Sequence, residues 1–338
     1  MTASTYTADA EPELEARIEQ QLAAIRERLL PQLPCQRIDA LVLGGGYGRG
    51  EGGALRTADG WRPYNDYDLV LVHHCSKRRL QPVLERAHRE FTAEFGIHVD
   101  VTPLHRRRLA RLPRALTWYE LGQGHRVLWG DPAVLAPLVS RRLDEIDPEE
   151  WGRLLFNRGA GLLLASWQHQ GIARRRFADE APAAFATRQL AKAWLALGDV
   201  WLADRGLYHH HVRRRREHWL AQQHRPAWSD AYLEAVEFKL RPQWSWPQPR
   251  ITGDLNHLCP LYVEALRERR AALPRRVAGC YSTLRSVRPS RWLFHPPWVY
   301  PRERLKHALV AELSGRAHLR RASVGDPDDF IDLLWRYG

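Results

Sequence analysis

Leu43-Gly44-Gly45-Gly46-Tyr47-Gly48-Arg49-Gly50-Glu51-Gly52, followed after residues 53–64 by Asn65-Asp66-Tyr67-Asp68-Leu69-Val70-Leu71-Val72, is the stretch whose reading decides the fold. It reads as an apolar strand, a glycine-rich turn and a second strand carrying two carboxylates. Glycines placed directly after a buried strand let bare backbone N–H groups approach an anion, because no Cβ stands in the way and positive φ costs little. Asp66 and Asp68 are two positions apart, so on a strand they leave the same face, about 6.5 to 7 Å apart along the backbone. Such a pair suits hard divalent cations, which prefer oxygen ligands and substrate phosphates.

Working outward, Gly96-Ile97-His98-Val99-Asp100-Val101-Thr102-Pro103-Leu104 is another short β-branched run and a neighbouring strand by expectation. Asp100 would add a third carboxylate. Three acids on two strands are enough for a two-metal phosphoryl-transfer centre, whose ions sit about 3.5 to 4 Å apart.

At these residues the chain resembles the DNA polymerase beta-like nucleotidyltransferase superfamily, including its minimal and aminoglycoside-type members. Gly45-Gly46 match the family's turn, Asp66 and Asp68 its Asp-x-Asp, and Asp100 its third acid. Gly124-His125-Arg126-Val127-Leu128-Trp129-Gly130-Asp131 looks like its last strand. The resemblance spans roughly residues 35 to 140. It implies an α+β fold with a mixed sheet flanked by helices; beyond Asp147-Pro148 strand-like alternation gives way to long helical periods, which read as an all-helical domain. Two departures are visible: nineteen residues separate Gly46 from Asp66, implying an inserted loop from Gly53 to Tyr64, and Gly46 stands where a serine is common. Phosphate contact would then rest on backbone amides and Arg49.

By the same resemblance, Asp66, Asp68 and Asp100 would be catalytic and would hold two Mg²⁺ ions, with Mn²⁺ as a substitute. Gly45, Gly46 and Arg49 would bind the β- and γ-phosphates of a nucleoside triphosphate, ATP being the first choice. Asp100 would also help to deprotonate an acceptor hydroxyl. Several superfamily members reach the triphosphate with a basic residue of the helical domain, which makes Lys192 a candidate; the alternative is an ordinary surface lysine. The acceptor is open between a small molecule, preferred here, and a protein or an RNA. A non-catalytic nucleotide-binding or antitoxin-like partner protein is the reading outside enzymes. Oligomeric state cannot be read.

At 338 residues with 44% hydrophobic content and 14 Trp, two packed domains are expected, 1–145 and 146–338. No basic start followed by an apolar core opens the chain, and no run approaches a membrane span, so a cytoplasmic protein without membrane association is expected. The four cysteines (Cys35, Cys75, Cys259, Cys280) are scattered, which suggests neither zinc nor a disulfide framework. The formal charge of +12 favours anionic ligands. It is carried by arginine, since Lys77, Lys192, Lys239 and Lys306 are the only lysines.

Periodicity predicts helices over 12–33, 77–95 and about 106–121 in the first domain, and a short one after Asp131-Pro132. In the second it predicts helices over 149–170, 181–205, 213–224, 228–240, 261–273, 302–313 and 328–337, with 241–249 an irregular connector. Asn157 and Arg158 stand out as polar residues inside an apolar helix, either facing a site or paired. Tyr208-His209-His210-His211 with Arg213 to Arg216 reads as a solvated basic loop; adjacent histidines do not converge on one tetrahedral zinc. Residues 261–321 hold fourteen Arg or Lys against four Asp or Glu. They read as a solvated arginine-rich face or, alternatively, as an RNA-binding one.

Overall fold

The structure, a computed structural model, describes residues 5–34, 37–171, 181–243, 245–271 and 309–314. In chain order its elements are α1 (Pro12–Leu29), β1 (Ile38–Leu43), α2 (Gly45–Gly48), β2 (Gly53–Thr57), β3 (Gly60–Tyr64), β4 (Asp66–His73), α3 (Lys77–Phe95) and β5 (His98–His105). There follow α4 (Leu116–Gln123), β6 (Arg126–Gly130), α5 (Ala136–Val139), α6 (Glu149–His169), α7 (Pro182–Ala203), α8 (Val212–Leu220), α9 (Ser229–Leu240) and α10 (Gln248–Ala271). The fold class is α+β, a mixed sheet with helices and a helical region beyond it. Two compact units are distinguished. The first gathers the chain to Asp147 together with Arg205–Ala227 and Val236–Gln243, and the second Pro148–Asp204, Trp228–Ala235 and the chain from Trp244. Two segments beyond residue 146 are thus grouped with the sheet.

In the first unit the sheet order is β5-β4-β1-β6. β1 is antiparallel to both β4 and β6, and β4 is parallel to β5, joined to it through α3. Alternation divides the strands between two cores. Leu41, Leu43, Tyr67, Leu69, Leu71 and Val99 pack with α1 and α3, while Ala40, Val42, Val70, Val72 and Leu104 pack with Leu121, Leu135 and Leu138. The α1 stripe Leu14, Ile18, Leu22, Ile25 and Leu29 is almost wholly buried. Full burial of side chains of this kind stabilises by about 1.5 to 3 kcal/mol each relative to exposure. Because side chains alternate, Asp66, Asp68 and Asp100 all leave on the second face, that of Val70, Val72 and Leu104.

Several expectations are revised. The inserted loop is a hairpin, β2 pairing antiparallel with β3. The segment 106–121 is not one helix: Arg106–Arg111 forms a 3₁₀ turn, Leu112 is extended and α4 begins only at Leu116. Pro113 explains the break, since it disfavours helical backbone at the residue before it. Conversely α10 begins at Gln248 and runs through Pro260, so Leu261 is no starting point; the expected connector is shortened only at its end, by Gln248 and Pro249. Cys75 is disulfide-bonded, which its isolated position did not suggest, and Cys259 is a free thiol.

The second unit, taken by itself, packs α6, α7 and α10 around Trp194, Tyr232 and Tyr262, all essentially inaccessible. The Tyr262 hydroxyl donates to the Ala193 carbonyl at 2.8 Å, and that of Tyr232 to Asp199 at 3.3 Å. Asn157 is exposed and Arg158 half-buried within electrostatic range of Tyr262. Residues 309–313 are helical; the remainder of the expected helices 302–313 and 328–337, and most of the arginine-rich 261–321 segment, lie outside the described residues. No helix among the described residues is long and apolar enough to cross a membrane.

Candidate active site

The strand register brings the carboxylates together. Asp68 stands opposite Asp100 on the parallel pair β4 and β5, and Asp66 opposite His98. The glycine turn closes over them. Gly44 N–H donates to the Asp68 carbonyl at 2.8 Å, and Gly45 has φ +58°. A Cβ on Gly45 would overlap the Asp68 carboxylate, so only glycine admits that approach. Gly45 and Gly46 open the single turn α2, whose first N–H groups have no partner within the helix.

Tyr47 ties this turn to the acid strand. Its buried hydroxyl donates to the Gly53 carbonyl at 2.8 Å and accepts from Tyr64 N–H at 2.7 Å. The β2–β3 hairpin is therefore fastened at both feet, two residues before Asp66. Asn65, with φ +82°, makes the last bend and donates its side-chain amide to Asp66 Oδ1. Asp100 in turn has the His88 ring 3.3 Å away.

Electrostatics register the crowding of acids. Asp68 is accessible to solvent yet ringed by protein. Partial burial, with Asp66 and Asp100 nearby, raises its pKa to about 7 against the pull of Arg49 and Lys239. A divalent cation would relieve that repulsion and suits carboxylate oxygens, so the residues fit magnesium. Among the described residues no trio of His, Cys, Asp or Glu closes round one point by itself. The carboxylates would thus give part of a ligand set, with phosphate oxygens and water completing it.

Beside the acids lies a buried ionic network that the sequence did not reveal. The Arg49 side chain, 6% exposed, sits 3.7 Å from Glu51 and 3.6 Å from Glu120. Gly124 leaves room for its stem, since a Cβ there would meet Arg49 Cγ. Tyr208 donates its hydroxyl to Glu120, and Arg215 donates to that hydroxyl at 3.4 Å. Burial would raise the pKa of Glu51, but the hydrogen bond from His211 and the charges of Lys239, Arg49 and Arg215 bring it down to about 2. Glu120 is lowered similarly by Arg49 and Arg215. Burial and Arg49 push Lys239 down, with Glu51 and Glu120 opposing.

Of the expected site residues, Gly45, Gly46, Arg49, Asp66, Asp68 and Asp100 thus lie together in the first unit. Lys192 belongs to α7 of the second. Lys239, from the end of α9, is the lysine that acts electrostatically on Asp68; nothing in its local sequence distinguished it. The histidine run is not a solvated loop. His209 and His210 stack at 4.2 Å, the His211 ring lies tilted 4.5 Å from that of His210, and Arg215 is 3% exposed.

No family model matches the chain, and no curated protein does. Among solved structures it is similar to spectinomycin adenyltransferase AAD(9) from Enterococcus faecialis, determined with ATP and spectinomycin. Identity is 12%, coverage 72% of this chain and 98% of the other, and the TM-score 0.45. No residue's role follows from a likeness of that extent.

Proposed function

We propose that this protein is a magnesium-dependent nucleotidyltransferase that moves a nucleoside monophosphate from a nucleoside triphosphate, ATP first, to a hydroxyl of a small molecule. The observation that carries the reading is the in-register Asp68–Asp100 pair beneath a glycine turn that only glycine can form. Asp66, Asp68 and Asp100 would hold the ions. Bound magnesium would supply positive charge against the negative charge that develops on the phosphate in the transfer.

The chain's own residues do the rest. The first N–H groups of the glycine turn and the Arg49 guanidinium hold the β- and γ-phosphates, and Lys239 adds positive charge beside them. Lys192, on α7 of the second unit, is the other candidate for a phosphate-binding lysine. Asp100 accepts the acceptor's hydroxyl proton as the new oxygen–phosphorus bond forms at the α-phosphorus. The bond from that phosphorus to the β-phosphate oxygen breaks, and pyrophosphate leaves. Positioning and charge compensation supply most of the acceleration in such transfers.

The test is incubation with each nucleoside triphosphate and Mg²⁺, with a metabolite extract, RNA or the protein alone as acceptor, followed by mass spectrometry. A small molecule gaining a nucleoside monophosphate, with matching pyrophosphate release, is the expected product. Modification of protein or RNA alone would move the acceptor assignment, and no transfer to any acceptor would contradict the reading.

A further inference from the structure

The sheet of the first unit has two chemically opposite ends. Because β4 and β5 are parallel and in register, His73 and His105 finish side by side, and the segments that follow them emerge at the same end. Both segments are cationic: Lys77, Arg78 and Arg79 open α3, and Arg107, Arg108 and Arg111 lie in the 3₁₀ turn after β5. All six are exposed. Among the described residues none of the six side chains is ion-paired, and no acidic residue occupies the first turn of α3. The acids near this end are already engaged. Asp39 has His74 at 2.9 Å and Arg37 and Arg106 each at 3.7 Å, while Asp131 caps the turn after β6 by accepting from Ala133 N–H.

Exposed guanidinium groups held close together without counter-charges raise the local potential and lower the free energy of a polyanion laid across them. Their forked donors match phosphate oxygens, often two at a time. From these observations we propose that this end of the sheet binds the phosphate backbone of a nucleic-acid strand. A membrane surface fits less well, because insertion needs exposed apolar anchors, and the leucines interleaved here, Leu80 and Leu109, are buried at 0% and 2%. The bound strand would lie away from the carboxylates: His73 is five steps along β4 from Asp68, roughly 16 Å at strand rise. It is bound as a partner there, not presented to the acids as an acceptor, and the inference does not depend on nucleotidyl transfer.

The experiment is fluorescence anisotropy of the full chain with a labelled single-stranded RNA of about 20 nucleotides, and DNA of the same sequence, across a salt series. Two triple variants, Lys77→Gln/Arg78→Gln/Arg79→Gln and Arg107→Gln/Arg108→Gln/Arg111→Gln, are compared with a charge-matched control, Arg17→Gln/Arg26→Gln/Arg62→Gln. Circular dichroism verifies folding. The expected result is salt-sensitive binding that each triple variant weakens about tenfold or more, with the slope of log affinity against log salt falling by about 2, and that the control largely keeps. Absence of binding by the unaltered chain, or equal binding by the variants and the control, would overturn the proposal. So would retention by anionic phospholipid vesicles in preference to RNA and DNA, lost in the same variants.

Discussion

Asp68 and Asp100 face each other in register across two parallel strands, with the Gly45 turn lying against the Asp68 carboxylate. That juxtaposition has a cost in the absence of a cation and, under the proposed function, a use in its presence, and both are measurable.

Asp68 has a folded pKa of about 7, above the ordinary carboxylate value, through partial burial and then Asp66. The native state therefore binds more protons than the unfolded one between about pH 4 and 7, and stability falls as pH rises through that window. Asp68→Asn should melt with the unaltered protein near pH 4 and above it at pH 8 without Mg²⁺. Discounted for solvent screening, the gain is about 1 to 2 kcal/mol, a few degrees in Tm. Millimolar Mg²⁺ should narrow the gap, and a lower Tm for the variant at pH 8 would refute the repulsion.

Glu51 has the opposite sign. Burial opposes its charge, but His211, Lys239, Arg49 and Arg215 hold its folded pKa at about 2. Its contribution is present above pH 4.5 and lost as pH falls toward 2. Glu51→Gln should cost about 2 to 3 kcal/mol at pH 7, leaving the cations underpaired, and less at pH 3. Denaturant melts at the two pH values test this; an equal loss at both would mean that packing, not charge, is responsible.

Gly45→Ala places a methyl where the Asp68 carboxylate lies, at φ +58°. We expect a loss of about 1 to 3 kcal/mol in stability and at least a tenfold loss in affinity for an ATP analogue. Retained affinity would show that the turn does not cradle phosphate.

Lys239→Met removes a cation whose charge burial disfavours, so stability should hold or rise while affinity for triphosphate falls more than affinity for the nucleoside. Lys192→Met is the companion variant. Calorimetry with ATP and adenosine separates the two lysines, and an effect confined to Lys192 would remove Lys239 from the phosphate contacts.

The part of the fold that was legible came from local pattern. Alternation in Tyr67-Asp68-Leu69-Val70 set the faces of β4, and the spacing of Leu14, Ile18, Leu22, Ile25 and Leu29 set α1. The hairpin was missed although Asp59-Gly60, a common hairpin-turn pair, stood inside the insertion. The helix expected over 261–273 instead starts at Gln248 and continues through Pro260, although a helix interior disfavours proline. The acids and glycines were visible because they are neighbours in sequence. Glu120, Tyr208, Arg215 and Lys239 were not, because each reaches the network from a distant segment, and no periodicity separates Arg215, 3% exposed, from the arginines on either side of it.

The most direct test of the central claim needs no acceptor. Isothermal titration of α,β-methylene-ATP into the protein, with and without Mg²⁺, is performed for the unaltered chain, Asp68→Asn and Asp100→Asn. The account predicts Mg²⁺-strengthened binding by the unaltered protein and loss of that strengthening, about tenfold or more, in both variants. Equal affinities for all three proteins, indifferent to Mg²⁺, would contradict it.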